Sequence, residues 1–254
     1  DVNAPEFVEA EKAITDKTKA ICIINPGNPT GCILSREDMR VIADFAKEHD
    51  LWILADEVYR EFAYDGREMT SFGQLADVED RVIIIDSVSK RFSACGARIG
   101  CMVCKNKEFM AEVFKIAMGR LCVPTLDMVG AEAMYKLPAD FFNDVKAEYE
   151  NRRNVSYEAL KAIPGVVCEC PGGAFYITAK MPVESTEDLL VFMLTKFRDN
   201  NETTMFAPAE GFYATEGLGK NELRIAYCLN ADDMKRAIEI LGKGIEAYKA
   251  QGGK

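Results

Sequence analysis

Val82-Ile83-Ile84-Ile85-Asp86-Ser87-Val88-Ser89-Lys90, followed by Gly96-Ala97-Arg98-Ile99-Gly100, decides how the chain is read. Four consecutive β-branched apolar residues read as a buried strand. Just past its end stands a lysine flanked by small hydroxyls, with an arginine eight residues on. That layout suits a lysine amine that forms a Schiff base while serine and arginine hold a nearby phosphate.

Working outward, Ala20-Ile21-Cys22-Ile23-Ile24 is another apolar run of strand length. The two prolines and two glycines of Asn25-Pro26-Gly27-Asn28-Pro29-Thr30-Gly31 end it in a shaped loop. Ser35 with Asp38 marks a helix start, and Met39, Ile42, Ala43 and Ala46 carry the helical period to about His49. Leu51-Trp52-Ile53-Leu54-Ala55 is a strand closed by Asp56-Glu57. Apolar strands alternating with helices predict an α/β fold with a mostly parallel sheet sandwiched by helices. Arg98–Val103 reads as a fourth strand, joined to the third by Ser87–Ala97 alone. A parallel crossover needs about a dozen residues or more, so this strand is expected to run antiparallel and to bring Arg98 back to the edge where Lys90 sits.

Helical patterns dominate from Lys105 to about Ile163, and Pro164-Gly165 breaks them. The remainder mixes strands (174–180, 203–206, 223–227) with helices (186–197, 232–249). The change of rhythm predicts a smaller α+β domain over 138–254 after a partial large domain over 1–137.

Composition sets limits. The 254 residues carry 31 basic and 41 acidic side chains, a net charge of −10, and are 48% hydrophobic. An acidic surface argues against nucleic acid and anionic membrane as partners. Nine cysteines in a chain this long do not make a disulfide scaffold. Cys101-Met102-Val103-Cys104 has metal-like spacing without a second pair or a histidine partner, so it reads as buried reduced thiols in a cytoplasmic protein, with no metal. No apolar run has transmembrane length. His49, the only histidine, falls at a helix C-terminus and reads as a cap. The chain opens on Asp1 without an initiator methionine, which is expected of a piece of something longer.

Asn28, Asp56 and Ser87–Lys90 each follow a strand, and open α/β sheets bind ligands beyond the carboxyl ends of their strands. These groups, with Arg98, are expected to face one crevice. With Asn25–Gly31, Ala55-Asp56-Glu57-Val58-Tyr59, Ser87–Lys90 with Arg98, Pro171-Gly172-Gly173-Ala174-Phe175-Tyr176 and Leu223-Arg224-Ile225-Ala226, the chain resembles the fold type I pyridoxal-phosphate enzymes, specifically the class I/II aminotransferases. The order and spacing of these motifs agree along the whole chain.

The resemblance implies a role for each. Lys90 holds pyridoxal 5′-phosphate as a Schiff base and later carries a proton. Asp56 pairs with the ring nitrogen and favours its protonated form by ~4 kcal/mol at an effective dielectric near 20. An Asp-Glu pair after an apolar strand also resembles the magnesium-binding strand of P-loop NTPases, but that reading needs G-x-x-x-x-G-K-[ST], which the sequence lacks. Asn28 and Tyr59 bond the phenolic oxygen, Ser87 and Arg98 bind the phosphate, and Arg224 clamps the substrate α-carboxylate as a planar bidentate donor. In isolation Asn28 could be a turn residue, Tyr59 a half-buried aromatic and Arg224 half of a surface salt bridge. A cis Asn28–Pro29 bond is also implied.

The activity implied is transfer of an amino group from an amino acid to a 2-oxo acid, in a homodimer. The same residues would serve a carbon–sulfur β-lyase, a decarboxylase or a cyclopropane-forming synthase of the same fold, or a non-catalytic cofactor-binding regulatory domain. Members of the family carry a longer N-terminal portion that supplies a phosphate-cradling helix N-terminus and a ring-stacking aromatic. Without it the chain is expected to bind the cofactor weakly or not at all, to be inactive alone, and to expose apolar surface around Leu51–Ile53 and Val82–Ile85.

Overall fold

The structure, a computed structural model, describes residues 5–253. Its contacts divide the chain into two compact units: the chain up to Pro26 with Ile33–Ala139, and Gly27–Cys32 with Asp140–Lys254. The loop that carries Asn28 thus groups with the C-terminal part of the chain.

The first unit begins with α1 (Pro5–Ala13), β1 (Ala20–Ile24), α2 (Arg36–Glu48) and β2 (Trp52–Asp56). It continues with β3 (Val82–Ser87), α3 (Val88–Arg91), β4 (Gly100–Val103), α4 (Lys107–Arg120) and α5 (Thr125–Met134). The strands form one sheet in the order β1-β2-β3-β4. The first three are parallel and β4 is antiparallel to β3, as the short Ser87–Ala97 connection requires. Ser35 caps α2 in a full capping box with Asp38, and Met39, Ile42, Ala43 and Ala46 are its buried stripe. They pack on Ile53, Ala55 and Val82 of the sheet and on Leu51, Phe72 and Val78, the core of this unit. Each large side chain fully buried there contributes ~1.5–3 kcal/mol.

Burial is uneven, and two expectations need correction. Leu51, Ile53, Val82 and Ile83 are buried, because α2 covers one face of the sheet, while Trp52, Ile84 and Ile85 are only half-buried. The exposed apolar surface lies instead on β4 and on α4–α5, where Ile116 is 76% and Leu126 86% exposed. Cys101 is exposed rather than buried, because β4 is the edge strand and all four of its residues are exposed, and Cys104, just past its end, is half-exposed. The fourth strand also starts at Gly100 and not Arg98. Arg98 adopts a left-handed conformation (φ 55°) that closes the short Cys95–Ala97 turn and cannot continue into a strand. His49 is the C-terminal cap residue of α2, and its Nε2 lies 2.8 Å from Glu11 Oε2.

The second unit holds α6 (Phe141–Lys161), β5 (Val167–Cys168), β6 (Tyr176–Lys180), α7 (Thr186–Thr195), β7 (Ala207–Pro208), β8 (Glu222–Ala226) and α8 (Ala231–Ala250). Its sheet is antiparallel, in the order β5-β6-β8-β7. The strand expected over 203–206 is instead the two-residue β7, an edge strand ending at Pro208, which has no N–H to extend the ladder. Ile177, Leu223, Leu189, Met193, Ile238 and Leu241 lie in its core. Among the described residues no helix is long and apolar enough to cross a membrane.

Candidate active site

In the first unit, parallel register levels the strand ends. Ile24 pairs with Asp56, and Asp56 pairs with Ile85, so Asp56 and the Asp86-Ser87 end of β3 emerge at one edge of the sheet. The half-buried Asp56 accepts the Val58 N–H at 3.2 Å through Oδ1. Burial pushes its carboxyl up from the usual range. The Val58 amide and Lys90 draw it back, and the charge of Asp86 pushes it further up. Lys90 and Asp56 therefore share one electrostatic neighbourhood. Tyr59 is buried, and the Lys90 Nζ lies 5.8 Å from its ring centroid.

Ser87 is the N-cap of α3: its Oγ accepts the Ser89 N–H at 3.0 Å and lies 2.8 Å from both Ile99 O and Ser89 Oγ. A hydroxyl has one hydrogen to donate. Donated to the Ile99 carbonyl, it stitches the lysine turn to the segment that carries Arg98. Ser87, Ser89, Arg98 and Arg120 line a cavity of about 360 Å³, and Arg98 Nη1 donates to Cys95 O at 2.8 Å. Gly100 is needed here, since a Cβ on it would stand 3.0 Å from Asp86 O.

The second unit brings Asn28 and Arg224 together. Arg224 Nη1 donates to Asn28 Oδ1 at 2.8 Å. The guanidinium lies 4.5 and 4.9 Å from the Tyr176 and Phe212 ring centroids, and among the described residues its buried Nε has no hydrogen-bond partner. Arg224 is thus an enclosed, stacked cation and not half of a surface salt bridge. The Asn28 loop is fastened to the same sheet. Thr178 Oγ1 donates to Pro29 O at 2.9 Å, and the Gly173 N–H donates to Gly31 O at 2.8 Å. Gly31 has φ 72°, and a Cβ there would meet the Pro171 Cβ at 2.3 Å. The Asn28–Pro29 bond is cis as expected, and Asn25–Pro26 is cis as well.

Three charged residues next to these strand-end motifs escape the sequence reading. Glu57 is fully buried, accepting the Ser71 hydroxyl at 2.9 Å and the Phe72 N–H at 3.0 Å through Oε1. Asp86 and Arg91 form a buried ion pair at 2.7 Å. A charged residue directly after or before a strand-end motif was the one available signal. Among the described residues no group of three or more His, Cys, Asp or Glu could hold a metal.

A mostly parallel sheet with flanking helices, followed by a small antiparallel sheet, is the architecture of the pyridoxal-phosphate transferases. Solved structures agree. An aromatic aminotransferase from Pyrococcus horikoshii OT3 matches with a TM-score of 0.84 at 28% identity, over 95% of this chain and 64% of that one. An alanine aminotransferase from Pyrococcus furiosus matches with a TM-score of 0.82 at 30% identity, over 94% and 61%. An aspartate aminotransferase of Bacillus subtilis (strain 168) is 32% identical over 244 residues, 94% of this chain and 61% of its own length. Residues 3–241 match the family aminotransferase class I and II, and the chain belongs to that family. It spans about 60% of the length of the curated relatives it matches.

The residues present fit the cofactor this family implies. A phosphorylated pyridine aldehyde asks for an amine, an anion for its ring nitrogen, and donors for its phosphate. The first unit supplies Lys90, the partly desolvated Asp56, and a cavity with two hydroxyls and two guanidinium groups.

Proposed function

We propose that the protein to which this chain belongs is a pyridoxal-phosphate-dependent aminotransferase that moves the amino group of an amino acid to a 2-oxo acid. The observation that carries the reading is Asp56, Tyr59 and Lys90 gathered at the carboxyl ends of adjacent parallel strands. Bound pyridoxal phosphate supplies an electrophilic carbon and a ring that draws electrons from the substrate. Lys90 would supply the amine that holds the cofactor and the base that moves a proton at the substrate α-carbon. Asp56 keeps the ring nitrogen protonated; a carboxylate already pushed up by burial gains more from a cation at contact than a solvated one does. Tyr59 and the Asn28 amide donate to the phenolic oxygen. Arg98 would bind the phosphate, and Ser87 would join it once its single hydroxyl hydrogen turns from the Ile99 carbonyl. Arg224 presents two parallel donors to the substrate α-carboxylate, held ready by Asn28 and its two aromatic neighbours.

A division into a large cofactor-binding domain over 1–137 and a small domain over 138–254, a homodimeric whole protein and a cytoplasmic location belong to the same proposal. The test is amino transfer to 2-oxoglutarate by the full-length protein, followed across a panel of amino acids beside ammonia release. Transfer supports the reading. Ammonia and pyruvate without transfer would assign a β-lyase, and neither would overturn it.

A further inference from the structure

Lys90 lies in α3, a helix of four residues. A single turn does not hold itself, because nucleation costs more than one turn of hydrogen bonds returns. Its geometry is set from outside. Ser87 caps it, the Val88 N–H donates to Ile99 O at 3.2 Å, and the Val88 side chain is buried. The fourth tie is ionic. Asp86, directly before the turn and only 7% exposed, accepts the Ser87 N–H through Oδ1 at 2.7 Å. Through Oδ2 it accepts Arg91 Nη2, also at 2.7 Å. Ser87 precedes α3 and Arg91 ends it, so one carboxylate closes a clip across the turn that carries the lysine.

The clip is enclosed. The Arg91 side chain is 10% exposed, and its buried Nε has no hydrogen-bond partner among the described residues. Tyr135 stands 5.9 Å from the guanidinium by its ring centroid, Glu61 lies 3.6 Å from Nη2, and Arg60 lies 3.9 Å from Asp86 Oδ2. Removing two charges from water offsets most of what their attraction gives, so such a pair is poor evidence of added stability. What it does fix is geometry, because the planar guanidinium and the carboxylate meet in few orientations. Resting on the reading of Lys90 as the cofactor-bearing lysine, we propose that Asp86 and Arg91 are a positioning pair that aims the Lys90 amine.

The test uses the full-length protein and four variants: Asp86→Asn, Arg91→Gln, the double variant, and Asp86→Glu. Cofactor-free protein is pulsed with an amine-acylating ester, and modification of Lys90 is read by peptide mass spectrometry relative to the exposed Lys107. Each charge-removing single variant is expected to change the Lys90-to-Lys107 ratio by about fivefold or more, and the double variant to add nothing further, as coupled residues do. Asp86→Glu, which keeps the carboxylate, is expected to stay within about twofold of wild type on the same scale. An unchanged ratio in Asp86→Asn would overturn the proposal. So would a ratio that follows the melting midpoint across the four variants in place of the carboxylate. A second arm separates this inference from the cofactor reading: borohydride is added to wild type with pyridoxal phosphate. Reduced cofactor on Lys90 supports both. A full acylation response with no cofactor on Lys90 would sink the cofactor reading while the pair still aims the amine.

Discussion

Lys90 and Arg224 are both cations at strand ends or on strands, yet they are held by different means. Around Lys90 the named charged and hydroxyl groups fall within residues 56–91. Asp56, Tyr59, Asp86, Ser87 and Arg91 are its neighbours, and charges and hydroxyls do the holding. Arg224 is held by two aromatic faces and one neutral amide, and that amide lies 196 residues away in sequence. A charge-built site near the chain's own turn fixes a reactive atom. Aromatic neighbours partly desolvate a guanidinium that is planar by its own resonance and limit how it can turn. The comparison predicts that changes at the first place remove chemistry, whereas changes at the second grade affinity.

The largest effect tests the first half of that contrast. Lys90→Ala in the full-length protein is expected to remove the borohydride-reducible linkage and to lower turnover by ~10³-fold or more, the scale of losing a positioned proton carrier together with a covalent anchor. Linkage that persists at another lysine would show that the wrong amine has been chosen.

Arg224→Lys tests the second half. An ammonium cannot offer two parallel donors, and it stacks less well between the Tyr176 and Phe212 rings. Loss of one hydrogen bond to a charged partner costs ~1.5–3 kcal/mol, so kcat/KM for the amino donor should fall roughly tenfold to a hundredfold. An unchanged kcat/KM would make Arg224 a structural cation and leave the carboxylate to another group.

The same contrast explains what could be read in advance. The α2 cap and stripe, the three parallel strands and the reversal of β4 were legible because they depend on neighbours within a few residues or on the length of one connection. The Lys90 motif was legible for the same reason. The Asp86–Arg91 clip was not, since a spacing of five fits no helical pairing rule and its burial depends on Tyr135 and Glu61 from elsewhere. Arg98 misled the strand boundary because a left-handed arginine leaves no mark that a glycine would. The cysteines of β4 looked buried because periodicity reports apolarity and not the position of a strand in its sheet. For Arg224 the motif was short, and its enclosing partners at 28, 176 and 212 are brought together by the fold alone.

A smaller effect probes how the Asn28 loop is tied to the Arg224 sheet. Gly31→Ala introduces a Cβ at a positive φ and against Pro171. Backbone strain of this kind costs ~1–3 kcal/mol before any steric term. The melting midpoint is expected to fall, and the KM for the amino donor to rise more than kcat drops, because Asn28 loses its register with Arg224. A melting loss with KM untouched would mean that the loop and the arginine are fastened independently.

The smallest effect returns to the charge-built region and concerns Glu57→Gln. Burial raises the Glu57 carboxyl above its ordinary 4.5, against the Ser71 hydroxyl and Phe72 amide that lower it. A raised carboxyl means that the folded chain keeps its proton to a higher pH than the unfolded chain does. The folded state then binds more protons between the two values, so this group's contribution to stability is full below the unfolded value and declines as pH rises through the folded one. Glutamine has no such proton to lose, and it keeps an oxygen where Ser71 and Phe72 donate. The pairing with Arg60, 4.0 Å from Oε2, exists only while Glu57 is ionised; it draws the carboxyl down and is already counted in the net upward direction. Asp56, raised in the same way, is present in both proteins and cancels in their difference. Thermal unfolding of both proteins from about pH 4 to about pH 7 should therefore show the variant gaining on wild type as pH rises. A difference that stays flat, or that moves toward wild type, would mean that Arg60 neutralises Glu57 more fully than its distance allows, and the buried Glu57 carboxylate would then carry no pH-dependent cost.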